Sequence, residues 1–123
     1  MTEHVGGIEL EVERDGRRVV VAVLAGELDH DAVAAVEDRL AGAADDAAVG
    51  LVCDLREVRY LDSAALHLLH RLERLLRGRG QRMVAVEPAA TTAGKVLRLT
   101  GLDGAVPLYD SRAAAVEALA SED

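Results

Sequence analysis

From residue 63 to residue 77 the chain repeats apolar side chains at helical spacing. Ala65, Leu68, Leu69, Leu72, Leu75 and Leu76 fall on one stripe, with His67, His70, Arg71, Arg74 and Arg77 opposite. Recurrence every three to four residues marks an amphipathic helix that lays one face on a core. Gly78 and Gly80 stop it. Just upstream, Val49–Leu55 (VGLVCDL) is a short unbroken apolar run, the form of a central parallel strand covered on both faces. A buried strand leading into a one-sided helix confines the chain to layered α/β architecture.

The remaining segments fit that plan. Ile8–Glu13 alternates Ile8, Leu10 and Val12 with Glu9, Glu11 and Glu13, the period of a half-buried strand at or near a sheet edge. Asp15-Gly16 is a hairpin signal, and Val19–Ala25 reads as its more deeply buried antiparallel partner. Val33, Val36 and Leu40 give a helix over Asp31–Leu40, followed by a polar loop over Ala43–Ala48. Arg82–Val86 is another buried strand, Pro88 opens a helix to about Leu99, Ala105–Leu108 is a short last strand, and Ser111 caps a helix over Arg112–Leu119. The order β-β-α-β-α-β-α-β-α predicts a mixed, mostly parallel sheet of four to five strands with about four helices, one antiparallel edge strand and right-handed crossovers.

At 123 residues the chain is expected to form a single domain, with residues 1–7 disordered and 8–119 as the folded core. There is no Phe or Trp and only two Tyr, so Leu, Val and Ala must build the core, and platforms for stacking bases are not expected. A formal net charge of −8 would repel phosphates, which argues against nucleic-acid and anionic-membrane partners. The single Cys53 excludes an internal disulfide and a cysteine-based metal cluster; within a central strand it reads as a buried, inert thiol. Met1–Gly7 has no apolar run and no segment reaches membrane-spanning length, so the expected location is the cytoplasm.

The junction Tyr60-Leu61-Asp62-Ser63-Ala64-Ala65 joins the central strand to the arginine-striped helix. Ser63 has two readings there. As an N-cap it satisfies an orphan amide of the first turn, and its removal costs about 1 kcal/mol. As a modification site it puts a hydroxyl at the positive end of the helix, where a phosphate meets free amides and the fold tolerates it. Phosphorylation there adds about −1.5 to −2 charges beside Asp62.

A second spot is Gly26-Glu27-Leu28-Asp29-His30, at the end of a strand in the region where α/β sheets gather their sites. If Val19–Ala25 and Val49–Leu55 are parallel neighbours, Glu27 and Asp29 reach the same edge as Ser63. The alternative is that Asp29 or Asp31 only caps the helix that follows. His67 and His70 share a helix, with Glu73 as the nearest acidic group; this reads as a solvated face, and no metal or cofactor is expected. A Gly-rich phosphate loop is not expected: Gly6-Gly7 precedes the first strand and Gly78-Arg79-Gly80 follows a helix, so neither sits between strand and helix as a nucleotide cradle needs.

Taken together, GELDH at 26–30, VCDL at 52–55 ahead of LDSAAL at 61–66, and LTGLDGAVPLYDS at 99–111 resemble the STAS family, in particular the bacterial anti-sigma factor antagonists. In those proteins a D-S-S/T-G-L motif opens a helix, and its first Ser is phosphorylated by a partner that is both kinase and anti-sigma factor. The resemblance implies that Ser63 is the acceptor, that a phosphatase resets it, and that Asp29 lies close to it in the docking surface; Glu27, His30, Asp62, Ala64, His67 and Arg71 are expected around it as further partner-binding residues. It implies a binding module in transcription regulation, with no catalytic residues of its own, acting as a monomer or weak dimer. Ala64 and Ala65 stand where the family usually has Ser or Thr and then Gly, and His67 replaces a common second Gly.

Two other functions remain open at this point. The same fold serves as an unphosphorylated accessory or scaffold subunit of a transporter or stress-signalling complex. A small hydrolase would instead use Ser63 with Glu27, Asp29 and Asp62, and His30 or His67 as base.

Overall fold

The computed structural model describes residues 2–16 and 18–121. Along the chain run β1 (Thr2–Val5), β2 (Ile8–Asp15), β3 (Val19–Leu28), α1 (Val33–Ala43), β4 (Gly50–Leu61), α2 (Ser63–Gly78), β5 (Arg82–Val86) and α3 (Thr92–Leu99). A 3₁₀ turn (Leu102–Gly104), β6 (Leu108–Tyr109) and α4 (Arg112–Ala120) complete it. The six strands lie in sequence order across one sheet. The β1–β2 and β2–β3 pairs are antiparallel, and β3 to β6 run parallel.

Several expectations need correction. Thr2–Val5 is not disordered: it pairs with β2 from Thr2↔Glu11 to Val5↔Ile8, raising the strand count among the described residues to six and the antiparallel pairs to two, and β2 is the one strand that runs against the rest. Its side chains alternate between half-buried and exposed, a pattern too short and too polar to stand out in sequence. Pro88 does not open α3; the chain turns first, and Thr91 caps the helix by accepting the Gly94 amide at 2.9 Å. Ala105 belongs to the turn after the 3₁₀ segment, and the last strand is Leu108–Tyr109. The first helix starts at Val33 rather than Asp31 and runs on to Ala43.

Two apolar layers hold the sheet. On one face, Ile8, Leu10, Leu24, Leu51, Cys53 and Met83 from the strands meet Val36 and Leu40 of α1, Leu68, Leu69, Leu72 and Leu76 of α2, and Leu97 of α3. On the other, Val19, Val21, Val52, Val84 and Val86 pack under Ala115 and Leu119 of α4. The central strands are therefore covered on both sides, which is why they read as unbroken apolar runs. Within α2 the stripe departs from expectation at its last turns: Leu75 is 42% exposed, whereas Glu73 is buried and reaches Arg77 at 3.6 Å.

The long strand β4 positions the site. Its pairing with β5 ends at Asp54↔Val86, but it continues beside β3 to Leu28↔Leu61, with register shifts after Val23 and Gly26. Past Asp54 it has a partner on one side only. Gly26 lets β3 pass close against the β1–β2 connection: its φ of +113° suits glycine, and a Cβ there would lie 2.6 Å from the Gly7 carbonyl oxygen.

Candidate functional site

The parallel pairing of β3 and β4 delivers the two sequence-predicted clusters to one edge of the sheet. Asp62 joins them. Its Oδ1 accepts the Ala65 amide at 3.1 Å, which makes Asp62, and not Ser63, the N-cap of α2. Its Oδ2 accepts the His30 amide at 3.0 Å, fastening the β3–α1 turn to the start of the helix. Asp29 folds that turn internally, its Oδ1 taking the amides of Asp31 at 3.1 Å and Ala32 at 3.3 Å. No side chain caps α1, because Ala32 occupies the N-cap position.

Ser63 is thereby the first residue of α2, and it is exposed. Released from capping, its hydroxyl stands at the positive end of a 16-residue helix. Ala64 is half-buried against the large core, Ala65 is buried, and His67 is exposed one turn further along. Glu27 and His30 are exposed on the neighbouring strand end and turn, while Asp29 is half-buried.

Arg71 is engaged within the chain. Its guanidinium holds Glu37 of α1 through Nε at 3.2 Å and Nη2 at 2.8 Å, so it braces the two helices against each other. Its hydrogen bonds to that carboxylate also hold the guanidinium pKa above its ordinary value.

Sequence reasoning missed a groove beside Ser63. Because β4 runs past the end of β5, a space of about 270 Å³ opens between its upper half and α3, lined by Val58, Tyr60, Leu61, Leu66, Val96 and Leu97 among others. Leu66 lies three residues after Ser63 and so on the same side of α2. Tyr60 is 51% exposed here, Val96 lines the opposite wall at 49%, and Leu99 on α3 is 86% exposed. The i, i+3 pair Val96 and Leu99 was the legible sign that α3 has a second apolar side.

Cys53 fits its expected inert character: burial, with Asp54 adding to it, pushes the thiol up to about 12. Among the described residues, no group of three or more His, Cys, Asp or Glu side chains is arranged to hold a metal ion. Among them too, no helix is long and apolar enough to cross a membrane.

A family model described as "Mlab, STAS domain" matches residues 10–110. This chain is a STAS domain. An anti-sigma factor antagonist from Mycobacterium paratuberculosis shares 30% identity with it over 91% of this chain and 93% of that one, at a TM-score of 0.79. The unphosphorylated form of the antagonist SpoIIAA has the same fold, at 23% identity, 91% and 96% coverage and a TM-score of 0.71. So does the phosphorylated form of the Bacillus cell fate determinant SpoIIAA, at 24%, 89% and 98%, and 0.66. No curated protein matches this chain by sequence.

Proposed function

We propose that this STAS domain is an anti-sigma factor antagonist. It binds an anti-sigma factor with serine-kinase activity in the cytoplasm, frees the sigma factor, and is switched off when Ser63 is phosphorylated and on again by a phosphatase. The observation that carries the reading is the exposed Ser63 hydroxyl at the first position of α2, which needs to make no cap because Asp62 makes it.

The surface around Ser63 is the docking site: Glu27, Asp29, His30, Asp62, Ala64 and His67, with the apolar groove beside it and the Arg71–Glu37 brace at its rim. In the transfer, Ser63 Oγ takes the γ-phosphoryl group of ATP, gives up its proton, and ADP leaves the kinase. The added charge lies at the helix end that favours it, so the fold persists. An acidic group of the docked partner at roughly 6 Å, at an effective dielectric near 20, is then repelled by about 3 kcal/mol per unit charge. That corresponds to about a hundredfold in affinity.

Intact-mass measurement after incubation with ATP and the cognate anti-sigma kinase tests this. The wild type is expected to gain one phosphate and Ser63→Ala none. If the wild type stays unlabelled by every such kinase of the same organism, the phospho-switch is rejected. Ala64 and Ala65, in place of the hydroxyl residue and glycine usual in the family, favour a second reading, an accessory subunit of a transporter or stress complex. Recovery of a transporter ATPase in a pull-down, equally with wild type and Ser63→Ala, would select that reading.

A further inference from the structure

At the end of β5 a carboxyl group is sealed beneath the start of α3. Glu87 is 3% exposed, and its Oε2 is buried with no hydrogen-bond partner among the described residues. The main chain around it is tightly held: its amide donates to the Tyr109 carbonyl at 3.0 Å, and its carbonyl accepts Arg98 Nη1 at 3.3 Å. The turn that follows admits no slack either. The Thr91 hydroxyl donates to the Pro88 carbonyl at 2.9 Å, and a Cβ on Gly94 of α3 would sit 2.0 Å from that same carbonyl oxygen. The start of α3 is therefore packed directly on the turn that follows Glu87.

The neighbours make the group's charge matter. From β4, Asp54 and Arg56 face it, with Glu57 beside Arg56; α3 contributes Arg98 and Thr91. Asp54 is itself committed, since it takes Arg56 Nη2 at 2.7 Å and Nε at 3.0 Å, and Arg112 of α4 adds its field there. Beyond β6, Asp110 is occupied by the Ala89 amide at 3.0 Å. Burial pushes the Glu87 carboxyl above the ordinary glutamate range, and Asp54 adds to the push, while Thr91, Arg56 and Arg98 offset it in part. An ionised oxygen with no donor is far costlier to bury than a neutral one, so ionisation favours any movement that admits water or turns an arginine toward it.

We infer that Glu87 is a proton-operated latch on α3, holding the helix closed on the sheet when neutral and loosening it when ionised. The proton passes between the carboxyl and water, with no other reactant. Because Val96 and Leu97 of α3 form one wall of the groove beside Ser63, the latch sets the shape of that groove by pH. The inference stands apart from phosphorylation of Ser63, and its test needs this chain alone.

The test is carboxyl-detected NMR of Glu87 across pH, read alongside amide shifts and hydrogen exchange of Thr92–Leu99 in the wild type and in Glu87→Gln. The expected result is that Glu87 titrates above the ordinary glutamate range and that the α3 amide shifts follow the same midpoint. Above that midpoint, wild-type α3 amides should exchange several-fold faster than those of Glu87→Gln, with the difference vanishing below it. If the variant fails to fold, the wild-type titration alone decides. A Glu87 midpoint in the ordinary range, or α3 amides indifferent to it, overturns the latch.

Discussion

The carboxylate of Asp62 accepts the His30 amide at 3.0 Å while capping α2 through the Ala65 amide at 3.1 Å. One side chain thus starts the helix and ties the β3–α1 turn to it. Removing it should cost the cap, about 1 kcal/mol, and free the turn as well. Asp62→Ala is expected to lose about 1–2 kcal/mol in urea unfolding, and Asp62→Asn, a good cap, much less. Ser63→Ala should change stability by no more than about 0.5 kcal/mol, the range of a surface substitution. The reverse ranking of Asp62 and Ser63 would return the cap to the serine.

Gly26 supports the same edge from below. Gly26→Ala must relieve a contact of 2.6 Å with backbone and adopt a φ of +113°. A loss on the order of 1–3 kcal/mol is expected, with broadened amide signals over residues 26–30. An unchanged melting curve would show that the β2–β3 edge yields more readily than its geometry implies.

Asp54 provides a stability test in pH. Burial alone would raise its pKa, but the Arg56 side chain and amide outweigh burial and hold it below the usual aspartate range. A carboxyl depressed in the folded state contributes stability above its unfolded value near 3.9 and loses it as pH falls through the folded one. Asp54→Asn should therefore be less stable than the wild type at neutral pH, by about 1–2 kcal/mol for a charged hydrogen-bonded pair. The gap should close on acidification below pH 4. A gap that stays constant with pH would mean that packing, not charge, carries the effect.

How far the sequence disclosed this molecule follows from what each signal measures. The stripe of α2 and the apolar runs of β4 and β5 were legible because burial on one or both faces imposes a period that few other structures share. The junction of GELDH with LDSAAL was legible once parallel pairing was assumed, since register then carries Glu27 to Tyr60 and Leu28 to Leu61. What escaped depended on choices between adjacent residues or on long-range geometry. Asp62 and Ser63 are both good caps, and sequence cannot say which of two neighbours turns inward. Thr2–Val5 gains its strand only from β2 beside it. The groove exists because β5 stops seven residues short of β4 in register, from Asp54 to Leu61, which no local pattern encodes. The pairing of Arg71 with Glu37 joins two helices across 34 residues of sequence, which no local pattern encodes either.

The core predicts its own weak point. Leu119 is one of two residues of α4 buried against the sheet, among Val19, Val52 and Val84. Leu119→Ala should cost about 2–4 kcal/mol and release α4 without disturbing the Ser63 edge. Far-ultraviolet dichroism with NMR of residues 60–67 would register the loss of one helix and the persistence of the other. Collapse of both together would show that the two apolar layers fold as a single unit.

Binding affinity of the unmodified chain, compared with that of the chain carrying phosphate on Ser63, for the same anti-sigma kinase, measured calorimetrically at one salt concentration, bears most directly on the whole account. A fall of about a hundredfold on modification, with the melting temperature little changed, is the result expected from charge placed at an exposed helix start. Equal affinities for the two forms would contradict it.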